Sequence, residues 1–188
     1  MIQKTLQQTT PEQILAYWYS ESIRAQWFCA TPELDAEIRQ RYEEVWRQAH
    51  AGGMAAWRDT PEGALALAII LDQFPLNMFR GSARAFSSER EAVQLVHASI
   101  ARGFDKKLPV SKRIFMYMPL MHSEVLADQD ASVCLFEVAG LLDNLKFAKH
   151  HREIVRRFGR FPHRNALLGR VSTQEEHAYL NSEEAFKG

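Results

Sequence analysis

The sequence predicts an all-α fold: a helical bundle or a curved array of antiparallel helix pairs, in one domain over residues 1–188. Apolar residues recur at helical spacing along most of the chain. Thr-Pro-Glu tripeptides begin at Thr10, Thr31 and Thr60. They are typical helix starts, because Thr caps a backbone N–H, Pro needs no N–H there, and Glu faces the positive end of the helix. No segment alternates apolar and polar residues between turn signals, so strands are not expected.

Each predicted helix is bounded by its own start and stop signals. Proline interrupts a helix because it has no N–H to donate, and glycine tolerates the left-handed turn that often follows a helix. The residues from Thr60 to Phe74 are apolar on nearly every side and predict the central buried helix, ended by Pro75. The predicted helices, in order, start at Thr10, run from Thr31 to the Gly52–Gly53 pair, from Thr60 to Phe74, from Ser88 to Arg102, from Val110 to Met118, from Glu124 to Leu142 and from Leu145 to Phe158, and start again at a capping box over Ser172–Glu175.

The composition excludes several classes of protein. With 188 residues, 46% hydrophobic and 24% charged, the chain is expected to fold rather than remain disordered. Its 23 basic and 23 acidic residues balance, which argues against a nucleic-acid or membrane binder. The longest strongly apolar run, Ala64 to Leu71, is far shorter than the roughly 20 residues that cross a bilayer.

The termini and the cysteines indicate a cytoplasmic protein. The first eight residues, MIQKTLQQ, contain no apolar secretory segment. Two cysteines are too few for a disulfide framework or a zinc finger, and Cys134 lies in an apolar run that predicts a buried thiol. No motif indicates a metal or a cofactor, and nothing in the pattern assigns an oligomeric state.

Charge is distributed unevenly along the second half of the chain. Residues 114–145 carry five acidic and no basic residues, whereas residues 146–170 carry eight basic residues and Glu153 as the one acid. Neighbouring helices of opposite charge can simply pair across a surface, which contributes little stability. The alternative is a basic cleft for an anionic small molecule or a peptide carboxylate.

A helix corner is the first candidate site. The segment from Phe161 to Arg170 begins with Phe-Pro after a helix stop and places His163 and Arg164 on a short turn. A rigid corner that presents imidazole and guanidinium groups suits recognition of a carboxylate or a phosphate, although the same side chains can cap helix ends. A similar Phe-Pro corner precedes Arg80.

A second candidate lies around His122. Glu124 and Asp128 are four residues apart, so on the predicted helix they share one face, and His122 directly precedes that helix. A histidine with two carboxylates can act as a general base, although the spacing is not a known metal signature. The alternative is a structural histidine with two solvated acids.

Helix order predicts that the two candidates meet. Successive helices with short joints usually pack antiparallel, which returns the end of the second helix to the start of the first. The predicted ligand-binding residues are therefore Arg80, His122, Glu124, Asp128, Arg160, His163, Arg164 and Arg170, with no catalytic residue assigned.

Four motifs resemble a bacterial family known only as a domain of unknown function. The motifs are LDQFPLNMFRG (71–81), YMPLMHSE (117–124), FGRFPHRNALLGR (158–170) and ST-x-EE (172–176). The resemblance covers nearly the whole chain and implies an all-α fold similar to tetratricopeptide helix pairs, with no established activity. The chain departs from the family pattern at Leu76, where Arg is usual, and at Met121, where Glu is usual.

Three functions remain open from the sequence. The first, and favoured, is a helical module that binds an anionic small molecule or peptide in a basic cleft. The second is a small hydrolase-like enzyme with a histidine base and arginine contacts to an oxyanion, although no nucleophile motif is present. The third is a structural protein with no small-molecule site.

Overall fold

The computed structural model describes residues 9–29 and 31–186, so the segment MIQKTLQQ lies outside the described residues. Within these ranges the chain is built from helices and turns without strands, which confirms the all-α prediction. The helices are α1 (Pro11–Trp18), α2 (Glu21–Arg24), α3 (Pro32–His50), α4 (Pro61–Ala68), α5 (Phe74–Met78), α6 (Glu89–Ala101), α7 (Phe104–Lys107), α8 (Val110–His122), α9 (Leu126–Val138), α10 (Leu142–Phe158) and α11 (Gln174–Leu180).

The central helix does not end at Pro75, as the sequence predicts. A π-helical turn, Ile69–Gln73, joins α4 to α5, and the helix continues to Met78. Pro75 has no N–H, so the carbonyl of Leu71 loses its helical partner. The Ser88 hydroxyl donates to that carbonyl instead, at 2.6 Å. A tertiary contact thus compensates for the proline, and the wider turn carries a buried carboxylate, Asp72.

Helix α8 also passes through its proline. Pro119 lies inside the helix, which ends at His122 rather than at Met118. The buried amide of Gln129 donates to the carbonyls of Met121, at 2.7 Å, and Ser123, at 2.6 Å. These bonds satisfy carbonyls that the helix end leaves without partners. His122 is thereby held at the end of a helix rather than in a loop.

The prediction of one helix from Glu124 to Leu142 is wrong at both ends. Helix α9 begins at Leu126, after Val125 at its N-cap, and it ends at Val138. Glu124 therefore lies in the connection before the helix and does not share a helical face with Asp128. The carboxylate of Glu124 accepts from groups of the 161–170 corner, which accounts for its position outside the helix.

Two groups of buried apolar side chains hold the fold together. The main core surrounds α4 and the π-helical turn, where Leu65, Ile69 and Ile70 are fully buried. A smaller core forms around Ile154 and Phe161 near the C-terminal end of α10. Cys134 is exposed rather than buried, since it follows the buried Val133 on α9 and points away from the core.

Helices of the described ranges are too short or too polar to cross a membrane.

The candidate site is positioned by α8, α9 and α10. Helix α9 packs against both α8 and α10. Antiparallel packing of α9 on α10 brings the corner after α10 to the connection before α9. The two candidate segments of the sequence meet at this place.

Candidate functional site

The end of α8 and the 161–170 corner are joined by direct hydrogen bonds. The Arg164 guanidinium donates from Nη2 to the backbone carbonyl of His122, at 2.8 Å. The backbone N–H of Phe161 donates to the carboxylate of Glu124, at 2.8 Å. Contacts between residues about 40 positions apart thus form one cluster, as the helix order predicts.

The acid that holds His122 is Asp72, which the sequence analysis did not identify. His122 Nδ1 lies 2.9 and 3.0 Å from the two carboxylate oxygens of Asp72. Asp72 is 4% exposed, and its carboxylate also accepts from the side-chain amide of Gln73. The predicted pairing of His122 with Glu124 and Asp128 is therefore wrong, because both of those acids have other partners.

The second nitrogen of His122 is left available for chemistry. A carboxylate accepts, so Nδ1 carries the proton when the ring is neutral, and Nε2 then presents a lone pair. Nε2 makes no hydrogen bond to any residue within 9–29 or 31–186, and the side chain is 17% exposed. The pair has the arrangement of a general base with an orienting carboxylate.

Asp128 belongs to a neighbouring polar group. Its carboxylate accepts from the Ser123 hydroxyl at 2.6 Å and lies 2.6 Å from His97 Nε2. Asp128 is buried, but the His97 side chain is half exposed. The carboxylate thus holds the start of α9 and does not contact His122 in this structure.

Glu124 forms a two-pronged ion pair with Arg170. The two guanidinium nitrogens donate to the two carboxylate oxygens at 2.9 and 2.7 Å. Burial acts to raise the pKa of Glu124, but the hydrogen bonds from Arg170 and Phe161 outweigh it and lower the pKa below its usual value. The pair fastens the corner to the connection between α8 and α9.

Arg164 is the most buried cation of the cluster. It is 5% exposed, and its guanidinium donates to Glu89 at 2.7 Å as well as to His122. The guanidinium also lies over the rings of Phe86, at 4.5 Å, and Phe161, at 4.6 Å. Burial raises the pKa of Glu89 even though Arg164 opposes the shift. Arg164 therefore links α6, the end of α8 and the corner.

Arg160 is engaged by the last helix. Its guanidinium donates to the Glu176 carboxylate at 2.7 and 2.9 Å, and this hydrogen bonding lowers the pKa of Glu176 to about 2. Glu176 also accepts from the backbone N–H of Thr173, so the capping box is one residue later than predicted. The Ser172 hydroxyl, the predicted cap, accepts from the Asn165 amide instead.

The predicted basic cleft is thus a set of ion pairs. Arg160, Arg164 and Arg170 each have a carboxylate partner. Arg80, predicted to join them, pairs with Asp35 on α3 at 2.6 Å and does not contact the corner. An anionic ligand would have to displace a carboxylate from any of these guanidiniums.

Two imidazoles beside His122 are neutral at pH 7. Burial, together with the charge of His122, lowers the pKa of His151 to about 3. Burial and the charge of Arg164 lower the pKa of His163 to about 4. The His151 ring lies 6.4 Å from the His122 ring. Because the pKa values of His151 and His163 are lowered, both of these rings are uncharged at pH 7. His163 therefore adds no positive charge to the predicted cleft.

These shifts predict that stability decreases as the pH falls from about 6.5 towards the lowered pKa values of about 4 and 3. In the unfolded chain both histidines bind protons near pH 6.5, whereas the folded state resists protonation until about pH 4 or 3. The unfolded state thus binds more protons in this window, so stability is fully present above pH 6.5 and falls as the pH decreases.

Each of these histidines contributes a slope of up to about 1.4 kcal/mol per pH unit. Urea unfolding at about pH 7, 6 and 5 measures the slope, and His151→Gln should reduce it. His97→Gln is the matched control, because His97 is half exposed. An equal slope in native protein and His151→Gln would contradict the burial of His151.

Three members of the cluster were missed in the sequence: Asp72, Glu89 and His151. Asp72 carried a usable signal, because a carboxylate inside an otherwise apolar buried helix requires a polar partner. Glu89 and His151 carried none, since each lies on an amphipathic helix that has other charged or polar residues, and their contacts with Arg164 and His122 are distant or indirect in sequence. Within the described ranges, no group of three histidine, cysteine or acidic side chains could hold a metal ion.

Comparisons with known proteins identify the family of the chain. Residues 14–184 match DUF924, described as a bacterial protein of unknown function. A solved structure of a protein of unknown function, ATU0120 from Agrobacterium tumefaciens, is 35% identical, with a TM-score of 0.86 over 91% of this chain and 96% of that one. No curated protein matches the chain. The chain therefore belongs to the bacterial DUF924 family, whose function is unknown.

Proposed function

We propose that the protein is a small acid–base enzyme that acts through His122. The observation that carries the proposal is the buried Asp72 carboxylate at 2.9 Å from His122 Nδ1, with Nε2 left without a partner among the described residues. A carboxylate in this position fixes the tautomer of the ring and stabilises the imidazolium that forms when Nε2 accepts a proton. Hydrolysis of an uncharged ester or amide is the reaction class that such a base supports.

The burial of Asp72 supports this function over a purely structural role. Burying a carboxylate costs free energy unless it is well paired. Asp72 is placed by a π-helical turn, a feature that occurs frequently at functional sites. Arg164 also donates to the backbone carbonyl of His122. His122 is therefore held at its ring by Asp72 and at its main chain by Arg164.

Binding of an anion, the function favoured by the sequence, has weaker support. The corner contains the expected guanidiniums, but Glu89, Glu124 and Glu176 neutralise them. A carboxylate or phosphate ligand would compete with carboxylate partners that are already well placed, at 2.7 Å from each guanidinium. A proton acceptor, in contrast, needs no displacement of an existing pair.

Hydrolysis of p-nitrophenyl acetate tests the proposal, because an accessible imidazole base accelerates it. We expect His122→Gln to remove the hydrolysis that native protein shows above buffer. His97→Gln is the matched control: it alters another histidine paired with a carboxylate and should keep the native rate. Native activity in His122→Gln would contradict the proposal.

A thermal-shift measurement distinguishes the anion binder. If inorganic phosphate or acetate stabilises native protein and Arg170→Ala abolishes that effect, the guanidiniums bind the ligand and His122 is not the functional group. A ligand at 100 times its Kd would stabilise the protein by about 2.7 kcal/mol. We expect no such stabilisation, because Arg170 is occupied by Glu124.

A further inference from the structure

The ring of Phe186 packs at the edge of the smaller apolar core, where three histidine rings also surround it. Its centroid is 4.4 Å from the His151 ring, 5.1 Å from the His163 ring and 6.4 Å from the His150 ring, in edge-to-face arrangements. Phe161 completes this setting, at 5.5 Å from His151. Edge-to-face contacts are a favourable geometry for aromatic rings. The surroundings are thus shaped for a flat aromatic group.

The segment that carries Phe186 is held by few bonds. After α11 the chain forms turns, and the backbone N–H of Phe186 donates to the Tyr179 hydroxyl at 2.9 Å. One further backbone bond, from Ala185 to Ser182, is 3.3 Å long. The ring itself is only partly buried. A segment with so few contacts opens at low free energy compared with the core.

The ring of His151 connects the position of Phe186 to His122. His151 contacts Phe186 on one side, and its ring lies 6.4 Å from the His122 ring on the other. His163 Nδ1 is buried and has no hydrogen-bond partner within residues 9–29 and 31–186. A ligand with an aromatic ring and an attached hydroxyl or carbonyl group could therefore satisfy polar groups that a phenyl ring cannot.

We propose that His150, His151, His163 and Phe161 form a subsite for an aromatic ring of the substrate, and that Phe186 occupies this subsite until substrate displaces it. The inference rests on the proposed function and deepens it, because it places an aryl group against His151, the ring that lies 6.4 Å from the base His122. The substrate class becomes an uncharged aryl ester or amide. The lowered pKa values of His151 and His163 suit such a ligand, since these two rings present no charge to an apolar ring at pH 7.

Binding of benzyl alcohol to native protein and to Phe186→Ala tests the subsite. Imidazole NMR signals of His151 and His163 should shift and saturate as benzyl alcohol is added. We expect about tenfold tighter binding to Phe186→Ala, because in native protein the probe binds only the fraction of molecules whose subsite is open. Phe28→Ala is the matched control: Phe28 is 73% exposed and far from the subsite in sequence, so native affinity is expected.

Phe186→Leu is a second test in case Phe186→Ala does not fold. Leucine keeps an apolar side chain at this position but removes the ring. This variant should also bind benzyl alcohol more tightly than native protein does. Equal affinity in native protein and both variants, or no saturable shift at His151 and His163, would overturn the subsite. The double variant Phe186→Ala/His122→Gln separates the two proposals: it should keep benzyl alcohol binding even though it lacks the base. If Phe186→Ala/His122→Gln binds benzyl alcohol tightly and His122→Gln keeps the native rate of ester hydrolysis, the proposal that His122 is a catalytic base is wrong and the subsite remains.

Discussion

Replacing Arg164 with alanine is expected to lower the free energy of unfolding by about 3–5 kcal/mol, the cost of removing one partner of a buried ion pair. The change leaves Glu89, a half-buried acid whose side chain is 22% exposed, without its cation, and it leaves the carbonyl of His122 without its donor. It also removes the guanidinium that packs on Phe86 and Phe161. Urea unfolding measured at pH 7 gives the loss directly.

Two further variants make this result specific. Arg164→Lys keeps the charge but cannot span Glu89 and His122 with one planar group, so its loss should be intermediate. Arg47→Ala is the surface control: Arg47 is 58% exposed and pairs with acids on its own helix, so a change below about 0.5 kcal/mol is expected. A loss below about 1 kcal/mol for Arg164→Ala would show that Arg164 does not hold the cluster together.

Replacing Asp72 with asparagine should lower the His122-dependent rate by about 10²–10⁴-fold, the range that general acid–base catalysis contributes. The change removes the charge that stabilises protonated His122. It also leaves one side-chain oxygen to accept from both His122 and Gln73, where the carboxylate has two. Steady-state hydrolysis of p-nitrophenyl acetate measures the rate, and circular dichroism checks that the helices remain.

Asp128→Asn is the matched control for this change. Asp128 is also a buried carboxylate paired with a histidine, but its partner is His97. The hydrolysis rate should therefore stay at the native value. Equal losses in the two variants would mean that the rate depends on general stability rather than on the pair of Asp72 with His122.

Helix boundaries could be predicted where the signal is local. The Thr side chains at positions 10, 31 and 60 cap helices as expected, because the cap and its N–H partner are three residues apart. The effect of Pro75 and Pro119 on the helix ends could not be predicted from local sequence. Each lies inside a helix, and Ser88, the compensating donor for Pro75, comes from a different helix. A tertiary contact overrides the local preference there.

The candidate site was predictable in its location and not in its pairings. Helix order alone brings His122 and Glu124 to the 161–170 corner, since antiparallel packing follows from short joints. The partners of His122 and Arg164 depend on the separate path of the π-helical turn after α4 and of α6, which supply Asp72 and Glu89 from earlier in the chain. Charge counts along the chain therefore predicted a basic cleft where the folded protein has balanced pairs.

The tautomer of the neutral His122 ring shows whether Asp72 orients this histidine as a base. The claim is that Asp72 holds the proton on Nδ1 and leaves Nε2 with a lone pair. ¹⁵N NMR of imidazole-labelled native protein, at a pH where the His122 ring is neutral, distinguishes the two nitrogens. We expect a protonated Nδ1 and an unprotonated Nε2. A proton on Nε2, with Nδ1 unprotonated beside Asp72, would contradict it.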